Sequence, residues 1–199
     1  MWKGGGDQLF SVNFVYSLVR RDCEADLSPI FRKLWSCKVV PSTLFTAWRV
    51  MENKIVTRVN LERRGVMLES YLCGKEEESY RHLFFDCFFA WRVWCFCFKW
   101  LGVSFVYHND PKSNFAHFRM NTSSDLISEV WNTIWVGVVG EIWNHINSVI
   151  FNRGVTDASE VCTLMQAKVW SWISAKSSTT SVSFSSWCLE PLECMRLVI

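Results

Sequence analysis

PSTLFTAWRVMENKIVTRVNLERRG, residues Pro41 to Gly65, decides the fold class. It opens on a proline, which suits the first position of a helix because its missing N–H would be unpaired there in any case. Leu44, Trp48 and Met51 then recur at helical spacing and mark one face. Thr57 carries a hydroxyl that accepts from backbone N–H groups at a helix start, so a short second helix begins there. Gly65 stops it. Nothing in the stretch alternates with the period of a strand.

The same punctuation extends in both directions. Toward the N-terminus, Ser28-Pro29 opens a helix over Ile30–Cys37, and Phe10–Arg21 carries Phe14 and Leu18 at helical spacing behind Ser11 as N-cap. Toward the C-terminus, residues 66–78 hold Gly74 and the acidic run Glu76, Glu77, Glu78, and read as a turn or short hairpin. Ser79 caps a helix through His82, and Phe88–Trp100 is a strongly aromatic helix ended by Gly102. Residues 103–122 have weak periodicity and contain Asn109, Asp110 and Pro111; they read as a loop or linker. Ser124 and Asp125 start a long helix to about Asn152, stopped by Gly154. Asp157 with Glu160 forms a capping box for another, to about Lys176. SSTTSVSFSS is a low-complexity tether, and WCLEPLECM is apolar enough to dock.

The reading is a mainly α chain: two small helical groups with a zinc-knuckle-like turn between helices. Its parts are a helical domain at 8–102, a linker at 103–122, a helical hairpin at 123–176, and a Ser-rich tether with an apolar tail at 177–199.

Composition agrees. The 199 residues are 50% apolar and 20% charged, which excludes disorder throughout. Twelve Trp and fifteen Phe predict an aromatic core. No apolar run approaches the roughly 20 residues of a membrane span; the best, Thr133 to Gly140, is closed off by Asn132 and Glu141. The start, MWKGGGDQLF, has no signal-peptide pattern. The expectation is a soluble intracellular chain, nuclear or cytoplasmic, neither secreted nor membrane-bound. Nine cysteines, an odd number, argue against a disulfide framework. Cys23, Cys37, Cys95, Cys97, Cys162, Cys188 and Cys194 read as core hydrophobes.

Charge is unevenly spread. Residues 1–65 carry 11 Lys and Arg against 6 Asp and Glu, a net of +5; residues 66–199 carry 10 against 13, a net of −3. The basic part could face nucleic acid, and Arg58, Arg63 and Arg64 are its densest cluster.

One stretch has the makings of a metal site. SYLCGKEEESYRHLFFDC, Ser70 to Cys87, spaces Cys73, His82 and Cys87 as Cys-x8-His-x4-Cys. Zinc takes thiolate and imidazole donors in a tetrahedron, and Gly74 after the first thiol suits a tight metal-binding turn. The fourth donor should lie three residues before Cys73, where Ser70 stands. A serine hydroxyl stays protonated at neutral pH and is a poor zinc ligand. Catalytic chemistry is not expected. The aspartates are scattered with no Asp-Asp pair for two-metal nucleotidyl transfer, no Gly-x4-Gly-Lys loop is present, and GGGD at Gly4–Asp7 reads as a flexible end.

Together these residues resemble the zinc-binding region that follows the reverse transcriptase domain of plant LINE-type (non-LTR) retrotransposons. That family's pattern is Cys-x2-Cys-x8-His-x4-Cys, and Cys73, His82 and Cys87 match three of its four ligands. LFSVNFVYSL, LWSCKVVPSTLFTAWRVMENKIVTRVNLERRGV and HLFFDCFFAWRVW are similar to the same family, as are IWNHINSVIF and WCLEPLECM. The resemblance implies zinc as cofactor and a part in holding template RNA or target DNA. Arg58, Arg63, Arg64, Lys75, Arg81 and Arg92 are the phosphate contacts this suggests, with Tyr71, Tyr80 or Trp91 as stacking rings where exposed. It also implies that Met1 is an internal methionine of a longer polyprotein, and the chain a short frame left by a degraded element. The expected binding is weak and nonspecific. A helical scaffold, or a relic without metal, is the other reading.

Overall fold

A computed structural model describes residues 29–65, 78–120, 124–152, 155–175 and 182–197. Of these residues 75% are helical and none is in a strand. The helices in chain order are α1 (Pro29–Ser36), α2 (Pro41–Met51), α3 (Arg58–Glu62), a π-helical turn (His82–Asp86), α4 (Phe88–Leu101), α5 (Pro111–His117), α6 (Asp125–Asn152), α7 (Ala158–Ser174), α8 (Phe184–Leu189) and α9 (Pro191–Leu197).

Most boundaries follow the local chemistry. Pro29 and Pro41 open α1 and α2. The Thr57 hydroxyl accepts from the Asn60 N–H at 3.3 Å and starts α3. Gly102 closes α4 in the left-handed region, φ 65°, which costs a residue without Cβ nothing. Asp157 accepts from the N–H groups of Ser159 and Glu160 and caps α7. The expected starts at Ser11 and Ser28, the stops at Gly154 and Lys176, and the turn at 66–77 lie outside the described residues.

Helix α6 is the axis of the fold. Every residue from Thr133 to Ile142 is buried, on all sides of the helix. A helix apolar all round needs neighbours all round, and here α7 and α2 cover it most extensively, with α1, α4, α9 and the π turn completing the shell. Thr133–Gly140 is therefore core, and no helix among the described residues is long and apolar enough to cross a membrane. Two glycines permit the close approaches. A Cβ on Gly137 would lie 2.7 Å from Val169 Cγ2, and one on Gly140 would collide with Thr43 Cγ2.

The stretch 103–122, expected as a loop or linker, contains α5. Asp110 Oδ2 accepts from the Ser113 N–H at 2.8 Å, and Pro111 follows in the first turn. Phe115 and Phe118 are buried against Trp135 and Trp131. The fully buried Asn114 ties the segment down: its Oδ1 accepts from Trp135 Nε1 at 2.8 Å, and its Nδ2 donates to the His108 carbonyl at 2.7 Å. The Ser-rich stretch likewise ends in a helix, because the Ser183 hydroxyl accepts from the Ser186 N–H and caps α8. The tail docks through Trp187, Pro191, Cys194 and Met195, and Trp187 Nε1 donates to the Gln166 carbonyl.

Candidate nucleic-acid and metal site

Two of the three expected metal donors flank the π turn: His82 opens it and Cys87 follows its last residue. In an α-helix residues five apart point about 140° away from each other. Here the Cys87 N–H donates to the His82 carbonyl at 2.8 Å, a bond one residue wider than the α pattern, which joins the two backbones directly. The turn begins where the Ser79 hydroxyl accepts from the His82 N–H at 3.2 Å. His82 and Cys87 are both buried.

Packing explains the widened turn. His82, Leu83, Phe84 and Phe85 are all buried, four in succession, which a regular helix on one flank of a core does not accommodate. Phe84 stacks on Trp143 and Phe85 on Trp94. Their carbonyls go to side chains: Trp94 Nε1 donates to Phe84 O at 2.9 Å and the Tyr107 hydroxyl to Phe85 O at 2.6 Å. Burial pushes the Tyr107 pKa far up, so this hydroxyl remains a donor at any ordinary pH.

Ser70, Cys73 and Lys75 lie outside the described residues, as does Tyr71. Among the described residues no group of three or more His, Cys, Asp or Glu side chains could hold a metal ion. The donor chemistry of Cys73, His82 and Cys87, with a hydroxyl at Ser70, does not fit the closed four-donor shell of a structural zinc.

The other cysteines behave as packing. The seven described cysteines, Cys87 among them, are free thiols, and Cys23 lies outside the described residues. Burial raises the Cys97 pKa well above the ordinary range and the Cys162 pKa to about 11, which leaves both protonated and unreactive near neutrality.

The expected phosphate-contact residues divide. Arg63, Arg64, Arg81 and Arg92 are exposed. Arg58 is not: its side chain is 12% exposed and its Nε donates to Glu62 Oε1 at 2.6 Å. Of the candidate stacking rings, Tyr80 is packed against the core, whereas Trp91 is 48% exposed beside Phe88, which is 70% exposed. Arg92 lies over the Phe88 and Phe96 rings at 5.9 and 5.7 Å.

A second exposed aromatic group was not legible as such. Trp35 of α1 and Phe45 of α2 are each 44% exposed and flank Trp48, at centroid distances of 6.5 and 5.2 Å. Arg49 sits over the Phe45 ring at 4.6 Å and Lys54 over the Trp48 ring at 4.7 Å. The stripe of Leu44, Trp48 and Met51 does face the core; the exposed group adds Phe45, three residues before Trp48 and four before Arg49 on α2.

Residues 10–94 match the family model described as zinc-binding in reverse transcriptase. The match spans the helices from α1 into α4, the π turn, and the positions of Ser70, Cys73, His82 and Cys87. No curated protein and no solved structure matches the chain.

Proposed function

We propose that this chain is a non-catalytic segment of the kind that accompanies a plant LINE-type reverse transcriptase, acting in the nucleus or cytoplasm, and that it holds RNA or DNA weakly and without sequence preference. The observation that carries the reading is the match of residues 10–94 to the zinc-binding region of reverse transcriptases. The exposure of Arg63, Arg64, Arg81 and Arg92 supports it, since guanidinium groups contact phosphate without reading sequence. Lys75 completes the set, and Arg58 serves the α3 fold through Glu62. A few phosphate contacts give a shallow salt slope and micromolar or poorer affinity. Filter retention of RNA and DNA across a salt series tests this. A scaffold or a relic gives no retention at any salt, and tight salt-resistant binding to one sequence contradicts the reading.

The metal half of the reading is an incomplete knuckle, with Cys73, His82 and Cys87 as donors and Ser70 at the fourth place. Restoring the thiol by Ser70→Cys should raise zinc content and make thermal stability sensitive to chelator, because a closed zinc shell adds its binding energy to folding. Mass spectrometry and thermal melts on both chains measure this. Stoichiometric zinc held by the original chain as tightly as by the variant would show that Ser70 is no defect.

A further inference from the structure

We propose that Trp35, Phe45 and Trp48, with Arg49 and Lys54, form a platform on which single-stranded nucleic acid stacks its bases. This deepens the reading above, on which it rests, by assigning a surface and a strandedness.

Three observations meet here. The rings form a continuous row across α1 and α2, and its outer two members are open to solvent. Rings of this size are seldom left exposed together on a surface without a partner. Two cations lie on the row rather than beside it. Arg49 has no carboxylate partner among the described residues. Lys54 approaches one carboxylate among the described residues, Glu52, at 3.9 Å. A guanidinium stacked on a ring extends the row with a plane that itself stacks on bases.

The third observation is charge. Residues 29–65 hold eight Lys and Arg against two Asp and Glu, a net of +6. Arg32, Lys33 and Lys38 are exposed on and just after α1. The partner must therefore present flat apolar faces and negative charge together. An unpaired polynucleotide does so, with bases for the rings and phosphates for the cations. A duplex hides its base faces and offers the rings nothing. The Phe88–Trp91 pair is a weaker candidate. Its Arg92 shares its field with Asp157, whose carboxylate is held below the usual range chiefly by hydrogen bonds from Ser159 and Glu160 and to a lesser degree by that guanidinium.

The test is fluorescence anisotropy with labelled oligo(dT), oligo(rU) and a DNA duplex, and with heparin as a polyanion that has no bases. The original chain is compared with Trp35→Ala/Phe45→Ala, with Arg49→Gln, and with Val106→Ala and Leu189→Ala as exposed apolar controls. Circular dichroism checks that each variant is folded. The double variant should lose roughly ten-fold or more in affinity for both single strands, as stacked rings do elsewhere, while heparin binding stays unchanged. Arg49→Gln should weaken both oligonucleotide and heparin binding and flatten the salt slope. Both controls should bind as the original does. If the original chain binds oligonucleotides and the double variant binds them equally well, the platform is wrong and the broader reading survives. A preference for duplex overturns it too. If the original chain binds no nucleic acid, the broader reading fails and takes this inference with it.

Discussion

Trp94, Trp131 and Trp135 lie at the centre of this fold; Trp35, Phe45 and Trp48 lie on its basic flank. The inner rings meet other rings: Phe85 and Phe98 stack on Trp94, and Phe118 and Phe115 approach at steep angles. Two of the three inner indole N–H groups are satisfied, Trp94 by the Phe84 carbonyl and Trp135 by Asn114. The outer rings meet one another and, over Phe45 and Trp48, cations as well. Burial and hydrogen bonding make the first set a structural element. Exposure of Trp35 and Phe45, and the charge around them, leave the second set available to a ligand, with Trp48 anchoring it to the core. Residue type is shared, so the neighbours decide the role.

The largest expected difference between the two sets is in stability. Trp94→Ala empties a fully buried site and strands the Phe84 carbonyl. It should cost about 3–5 kcal/mol, read by urea unfolding. Trp35→Ala, on the surface, should stay within about 0.5 kcal/mol of the original. Equal losses would erase the distinction between core and platform.

A smaller effect sharpens the role of α6 as axis. Gly140→Val places a branched side chain against Thr43, where even a Cβ collides. Overpacking of this kind should cost about 3 kcal/mol and separate α6 from α2. A neutral result in the same unfolding assay would mean that Thr43 turns away freely.

Smaller still is the cost of one buried hydrogen-bond network. Asn114→Ala leaves Trp135 Nε1 and the His108 carbonyl unpaired. The expected loss is about 2 kcal/mol, with faster amide exchange over residues 108–117. An unchanged exchange pattern would show that Phe115 and Phe118 hold the segment without it.

The elements legible in the sequence are those whose ends carry their own chemistry. Pro41, Thr57, Gly102 and Asp157 each act through a bond or a dihedral fixed within a few residues, so single positions suffice to read them. Helix α5 had the same signal, an Asp cap with proline after it, but weak periodicity masked it; only a few of its residues face the core. The π turn was not legible. Its cause is four successive side chains drawn inward by Trp94, Trp143 and Tyr107, two of them far along the chain. At the candidate site, spacing identified His82 and Cys87 as a pair but not the geometry joining them. Arg58 looked like part of a basic cluster because sequence does not reveal that its guanidinium turns to Glu62. The platform was hidden for a similar reason. Trp35 comes from a different helix, and its nearness to Trp48 exists only after α1 packs on α2.

The account turns on the outer rings binding a ligand while the inner ones hold the fold. Thermal melting of the original chain and of Trp35→Ala/Phe45→Ala, each with and without oligo(dT), tests both halves at once. A ligand that binds only the folded state raises its melting temperature. The account predicts the same melting temperature for both chains alone, a rise with oligo(dT) for the original, and no such rise for the variant. A variant that melts early without ligand, or one that is stabilised by oligo(dT) as fully as the original, would contradict it.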